Sequence, residues 1–319
     1  MTKADRVRAA LKKQPVDHVP ASFSIHFPKA VAHGDAAIKA HLDFYHKTDV
    51  DILKVMNENL FPSVGEMNSP SDWNKLPAYD RHAPFIQREM ELLKALRQAE
   101  PDAYLMLTVH GICASTIHPL EARYGYEPVR ELFVQQMRSD KAPLLEARAR
   151  IADALVELVQ AARDLDCDAI YYAALGAEDY YYSDEEFAEA VAPYDITVLK
   201  AIRETGQDVF LHMCKDHLKM NRFRDYIPFC NAANWGVYEV PFSLQQGKSL
   251  FPDAAIMGGL ANRSGVLVNG TEEEIRSEVY KVLQDFGAQG FILGADCTLP
   301  TDIELWRVKA AVEAAREFS

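Results

Sequence analysis

The sequence predicts an α/β fold, a single (β/α)8 TIM barrel with an elaborated N-terminal region. Two observations favour it. Short apolar runs alternate with longer charged segments of helical period, and eight such runs occur in 319 residues. An open doubly wound sheet would normally carry a glycine-rich phosphate turn after its first strand, and "VPASFSIHFPKAV" has none. No repeat or linker divides the chain, so we predict one domain over residues 1–319.

The predicted strands are short runs of Val, Ile, Leu and aromatic residues. In chain order they are residues 19–25, 51–56, 103–109, 168–174, 208–213, 236–240, 254–259 and 290–295. Parallel strands joined by helices place all strand carboxyl ends at one mouth, where catalytic residues are expected.

Helices are predicted between the strands, most clearly at residues 146–165, 183–205, 271–286 and 301–318. Ser183, Thr271 and Thr301 each precede acidic residues, and Ser183 and Thr271 have a glutamate three positions on, as in a capping box. Segment 57–84 is too long for a simple barrel connection. We expect it to form a lid or one wall of the active site.

Composition and charge restrict the class of protein. The formal net charge is −13 and Lys and Arg form no cluster, which argues against a nucleic-acid partner. The sequence contains no run of about 18 apolar residues, the length that a membrane span needs, and its N-terminus lacks an apolar signal region. We therefore expect a cytoplasmic protein. The five cysteines are odd in number and scattered, which is typical of buried, catalytic or metal-bound thiols rather than disulfides.

A histidine and two cysteines are the strongest functional candidates. His212 and Cys214 lie two residues apart at a predicted strand end, so their side chains point the same way. Cys297 follows the last predicted strand, and all three would meet at the barrel mouth. This N/S set suits Zn²⁺ with three protein ligands and one open position, as in catalytic sites. The alternative is that they are ordinary buried core residues.

Other polar and aromatic residues also follow predicted strands. Arg263 lies beside two glycines and could bind an anionic group or form a structural ion pair. His110, with Cys113, could line the pocket, and Glu178 is a further candidate for substrate contact. Tyr180 and Tyr181, in "EDYYYSD", could form an aromatic rim that contacts a cofactor, although tyrosines also pack at strand ends.

Several of these motifs resemble the uroporphyrinogen decarboxylase superfamily, and within it the zinc-dependent cobalamin methyltransferases, which include methylcobamide:coenzyme M methyltransferases. The resemblance is carried by "LHMCKD", "GKSLFPDAAIMGGLANRSGVLVNGTEEEI", "GFILGADCTLP" and the N-terminal "RVRAALKKQPVDHVPASF". It implies a TIM barrel with His212, Cys214 and Cys297 as zinc ligands. By position it also implies Glu239 as a fourth ligand when substrate is absent, or as an ordinary hydrogen-bonding residue.

The decarboxylase and methyltransferase branches differ in their recognition residues. A tetrapyrrole with eight carboxylates needs an arginine cluster, and the stretch after the first strand, "SIHFPKAVAH", has no arginine. The decarboxylases also use an aspartate after the second strand, where this chain places Asn57, which we count among the cofactor-contacting candidates.

The resemblance therefore implies methyl transfer between a corrinoid, carried on a partner protein, and a small substrate, with a thiol activated on zinc as the best candidate. A decarboxylase acting in tetrapyrrole biosynthesis is the alternative. A non-catalytic corrinoid- or metal-binding module is a second one. The direction of methyl transfer and the identity of the substrate stay open at the level of sequence.

Overall fold

A parallel seven-stranded sheet forms the centre of the protein in the computed structural model, which describes residues 1–318. The sheet is curled and TIM-barrel-like, and its strands are adjacent in sequence order. They are β1 (Ile52–Val55), β2 (Tyr104–His110), β3 (Ala169–Ala174), β4 (Asp208–Met213), β5 (Ala232–Trp235), β6 (Ala255–Leu260) and β7 (Phe291–Ala295). Six of them overlap predicted strands, because β-branched and aromatic runs buried on both faces are typical of parallel sheets.

Twelve helices surround the sheet within residues 1–318, and the first of them packs against the side chains on the sheet's inner face. They are α1 (Lys3–Leu11), α2 (Gly34–Thr48), α3 (Pro84–Ala99), α4 (Ile112–Tyr124), α5 (Tyr126–Ser139), α6 (Ala142–Arg163), α7 (Asp184–Ala190), α8 (Ala192–Glu204), α9 (Leu244–Leu250), α10 (Gly265–Asn269), α11 (Glu272–Phe286) and α12 (Leu305–Glu317). Short 3-10 helices lie at Lys29–Val31, Pro70–Lys75 and Met220–Phe229. No helix among residues 1–318 is both long and apolar enough to cross a bilayer.

The predicted first strand, residues 19–25, does not form a regular strand, so the described residues contain seven strands where eight were predicted. The segment makes isolated parallel bridges from Ala21 to Leu293 and from Ile25 to Leu299. Ser22 N–H donates to Leu293 O over 2.8 Å, and on the other side Asp51 N–H donates to Ala21 O over 2.8 Å. The segment thus lies between β7 and the residues that precede β1.

The predicted strand at residues 236–240 is wrong, since those residues form a turn and the strand is Ala232–Trp235. The sequence "AANW" has low strand propensity, whereas "GVYEV" has the β-branched and aromatic residues that strands prefer. The pairing of β5 between β4 and β6 overrides that local preference.

The predicted helix starts are confirmed in two of three cases. Ser183 and Thr271 each form a capping box with the glutamate three residues on. Thr301 does not begin a helix, because α12 starts at Leu305. The predicted helix at 183–205 is divided into α7 and α8 at Val191, and Pro193 lies in the first turn of α8, where its missing N–H has no cost.

The first residues of segment 57–84 form one wall of the central cavity. Glu58 and Leu60 line it. Trp73 is buried, and its indole N–H donates to Gln136 Oε1 over 3.1 Å. A role for this segment as a lid or as a wall of an active site stays a prediction.

Candidate metal centre

His212, Cys214 and Cys297 come together at the carboxyl ends of β4 and β7. One ligand atom from each lies within 4.8 Å of the other two, and the two Sγ atoms are 4.0 Å apart. His212 is buried and the cysteines are half-buried free thiols. Two thiolates at about 2.3 Å from one tetrahedral zinc ion would be ~3.8 Å apart, so the observed separation fits a shared metal.

Asn234 on β5 fixes the orientation of the His212 ring. Its Nδ2 donates to Met257 O over 3.0 Å and to Ala295 O over 3.1 Å, so its Oδ1 must face His212. His212 Nδ1 lies 2.6 Å from that oxygen and therefore carries the proton. The ring nitrogen Nε2 then has a free lone pair, and it has no hydrogen-bond partner within residues 1–318. A buried, unpartnered imidazole nitrogen beside two thiols fits a zinc ligand.

Tyr171 on β3 supports the same arrangement. Its hydroxyl donates to Asn234 Oδ1 over 2.8 Å, and its ring stacks on His212 with centroids 5.2 Å apart. Lys54 on β1 packs against this tyrosine, with Nζ 3.2 Å from the ring centroid. Burial lowers the pKa of Lys54 to about 7, against the opposing effect of the nearby Cys297 and Cys214 thiolates.

The two thiols lie at hydrogen-bonding distance from each other. Hydrogen bonding from Cys214 lowers the pKa of Cys297, and the same contact raises the pKa of Cys214. His212 also lowers the pKa of Cys297, although burial opposes it.

Two cavities meet at these ligands. The inner cavity, about 440 Å³, is lined by residues of β1 to β4 and of the segments that follow strands, among them Lys54, His110, Tyr171 and His212. The outer cavity, about 550 Å³, is lined by loop residues, among them Tyr180, Asp216 and Glu239. Four residues line both cavities: Cys214, Lys215, Arg263 and Cys297.

The sequence-predicted residues fall into two groups. His110 lines the inner cavity, Tyr180 and Glu239 line the outer one, and Arg263 lines both. Glu239 is exposed and lies outside the group of ligand atoms that are within 4.8 Å of one another.

Three predicted residues line neither cavity. Glu178 is buried in an ion pair with Arg130 and accepts a hydrogen bond from Gly176 N–H over 2.9 Å. Tyr181 is buried, with its hydroxyl on Glu127 and Arg130 stacked 4.1 Å from its ring centroid. Asn57 is buried and accepts from Asn59 N–H over 2.9 Å.

Sequence reasoning missed Asn234 as a site residue and did not single out Lys54. A lysine inside the apolar strand run "DILKVM" was a usable signal, because an ordinary buried strand has no place for an unpaired ammonium. Asn234 lies in a strand that the pattern does not reveal.

Comparisons with known proteins give the family. The uroporphyrinogen decarboxylase (URO-D) family model matches residues 49–318. The chain belongs to the URO-D family. A search of curated proteins finds no match.

Solved structures share the fold of this URO-D family member. A methyltransferase from Methanosarcina mazei is 18% identical, with a TM-score of 0.76, over 100% of this chain and 99% of that one. A B12-independent methionine synthase from Shewanella sp. W3-18-1, solved in complex with selenomethionine, is 13% identical, with a TM-score of 0.58, over 94% and 97% of the two chains.

Proposed function

We propose that the protein is a zinc-dependent methyltransferase that moves a methyl group between a corrinoid and a small substrate, best a thiol. The observation that carries the proposal is the unpartnered Nε2 of His212 beside two thiols whose Sγ atoms are 4.0 Å apart. The structural similarity to a methyltransferase supports it. In this proposal residues 19–25 take the place of the eighth strand of a (β/α)8 barrel.

The chain's own residues prepare the site for a metal. His212, Cys214 and Cys297 would hold zinc, and Asn234 keeps the proton of His212 on Nδ1, away from the ligand atom. The chemistry that bound zinc supplies is to lower the pKa of a substrate thiol while leaving it nucleophilic. The inner cavity holds the substrate body, and Arg263, an exposed residue at the boundary between the cavities, would contact an anionic group.

A corrinoid carried on a partner protein would approach from the outer cavity. Tyr180 lines this cavity and is 51% exposed, and Tyr238, next to Glu239, is 56% exposed. Exposed tyrosines beside a catalytic opening suit contact with a flat ring system or a protein surface. The enclosed positions of Tyr181 and Asn57 leave Tyr180 as the better candidate for corrinoid contact.

Glu239 remains in the proposal as a fourth zinc ligand in the absence of substrate. Its carboxylate lines the outer cavity together with Cys214 and Cys297. Glu239→Gln should leave three-ligand zinc binding in place and change the coordination number measured by X-ray absorption. An unchanged coordination shell would assign Glu239 to hydrogen bonding alone.

The decarboxylase alternative has less support from the cavity. A tetrapyrrole with several carboxylates needs several arginines, and Arg263 is the one arginine among the described residues that line the inner and outer cavities.

The deciding experiment has two parts. Metal analysis should give one zinc per chain. Incubation of the zinc-loaded protein with methylcobalamin and a panel of thiols should then produce thiol-dependent loss of the methyl–cobalt absorbance. A zinc-free protein that decarboxylates uroporphyrinogen would contradict the proposal. Zinc binding without any thiol-dependent loss would direct the search to the reverse reaction, demethylation of a methylated substrate onto cob(I)alamin.

A further inference from the structure

Lys54 is a buried lysine that lines the inner cavity without a carboxylate partner. Its Nζ donates to Ser24 Oγ over 3.0 Å, and Lys54 forms no salt bridge with a carboxylate among residues 1–318. The side chain is 8% exposed and lines the inner cavity. Burying an ammonium group is costly unless an anion accompanies it, so this position calls for a negative partner.

Lys54 lines the same cavity as the two cysteines of the candidate metal centre. With zinc bound, two cysteinates and a neutral imidazole would give a centre of zero formal charge, which would leave Lys54 without a balancing anion. An anionic group on the bound small molecule would supply the missing charge.

The carboxylates that line the inner cavity are already engaged. Glu58 Oε1 accepts from His26 Nδ1 over 3.1 Å and from Phe27 N–H over 3.0 Å. Glu121 Oε2 lies 3.0 Å from His118 Nδ1. Lys215, which also lines the cavity, is not paired in this way. Its Nζ lies 4.2 Å from the centroid of the Tyr126 ring rather than against a carboxylate. The charged lining groups that lack a partner of opposite charge are therefore cations, which favour an anionic ligand.

Apolar side chains form much of the remaining wall: Met56, Leu60, Tyr126, Tyr171 and Leu175. The cavity volume of about 440 Å³ falls within the roughly 300–1,000 Å³ of pockets that enclose drug-sized ligands. A two-carbon thiol would leave most of that space empty. The cavity thus suits a ligand with an apolar body of at least aromatic-ring size.

We propose that the inner cavity binds a small molecule with an anionic group and an apolar body, and that Lys54 selects the anionic group. The identification of this molecule as the substrate rests on the proposed methyltransferase function. The binding preference itself does not depend on methyl transfer and is measured separately.

Calorimetry on the zinc-loaded protein tests the proposal with matched probes. 3-Mercaptopropionate should bind at least tenfold more tightly than propane-1-thiol, and 4-(mercaptomethyl)benzoate should bind at least as tightly as 3-mercaptopropionate. Lys54→Met should abolish the preference for the anionic probe while leaving propane-1-thiol affinity in place. Lys200→Met, at an exposed helical lysine, is the matched control and should keep the preference.

Three results would overturn the proposal. If the unmodified protein bound 3-mercaptopropionate and propane-1-thiol with equal affinity, there would be no anion site, whatever the variants showed. A preference kept in folded, zinc-loaded Lys54→Met but lost in Arg263→Leu assigns anion binding to Arg263 instead. If 4-(mercaptomethyl)benzoate did not bind, the cavity would not accept a ligand with an apolar body of aromatic-ring size. Lys54→Gln, which keeps a donor for Ser24, serves the same comparison if Lys54→Met does not fold. A preference that depends on Lys54, in a protein without methyltransferase activity, would support this ligand class while rejecting the proposed function.

Discussion

Asn234 accepts a 2.6 Å hydrogen bond from His212 while its own amide group is held by the backbone carbonyls of Met257 and Ala295. Three strands and the end of a fourth therefore determine one ring tautomer. We expect Asn234→Leu, which removes the acceptor, to weaken zinc binding about 10–100-fold, as loss of an outer-shell partner of a metal-bound histidine does. Competition with a chromogenic chelator measures the affinity.

Nitrogen-15 NMR of the metal-free protein provides an independent readout of the same change. The unmodified protein should show His212 protonated at Nδ1, and the variant should show a mixture of tautomers. Asn269→Ala, at an exposed helix end, should change neither property. Unaltered zinc affinity in a folded Asn234→Leu protein would show that the hydrogen bond has no role in metal binding.

Cys297→Ser should abolish stoichiometric zinc binding, because a serine hydroxyl is a poor replacement for a thiolate ligand. Cys230→Ser is the matched control. That thiol is also half-buried, but it donates to Ala232 O over 3.0 Å and lies outside the ligand group. Metal content by atomic emission should fall to near zero in the first variant and stay at one per chain in the second. Equal zinc content in both would remove Cys297 from the site.

Glu89 should make stability depend on pH. Its side chain is fully buried, Oε2 accepts from Asn59 Nδ2 over 2.8 Å, and burial raises its pKa from 4.5 to about 8, with a smaller contribution from Glu58. The folded protein therefore holds a proton that the unfolded chain releases above about pH 4.5. The stabilisation from this group is full below that pH and is lost as the pH rises toward 8.

Glu89→Gln should remove this dependence, since the amide keeps an acceptor for Asn59 and does not ionise. The Tm of the unmodified protein should fall relative to that of the variant between about pH 5 and pH 8, by roughly 2 °C or more, the shift expected for ~1 kcal/mol in a large domain. Parallel Tm curves across that range would mean that Glu89 titrates normally.

Gly247→Ala should destabilise the protein by about 1–3 kcal/mol, the usual cost of overpacking. A methyl group there would lie 1.8 Å from the Trp235 ring, which is fully buried and held by a 2.8 Å hydrogen bond from its indole N–H to Phe242 O. Ser249→Ala, an exposed change on the same helix, is the control and should leave the denaturation midpoint nearly unchanged. A fully stable Gly247→Ala protein would imply that Trp235 can repack.

The sequence was most informative about reactive side chains that follow predicted strands. His212, Cys214 and Cys297 could be placed together because parallel strands deliver their carboxyl ends to one mouth, and the family motifs pointed to the same residues. Asn234 could not be found this way, because its strand has weak propensity and is defined by its neighbours. Glu178 looked functional at a strand end, but its partner, Arg130, comes from a helix 48 residues earlier, a pairing that local pattern does not show.

The four residues shared by the inner and outer cavities bear on the kinetic mechanism. In the proposed methyltransferase the cysteines are reached from two adjoining cavities, so a small acceptor and a bulky methyl carrier would not compete for one volume. Neither has to leave before the other arrives. Initial-rate plots for the two reactants should therefore intersect, as in a ternary-complex mechanism, rather than run parallel as they would if a methylated enzyme were released between two half-reactions.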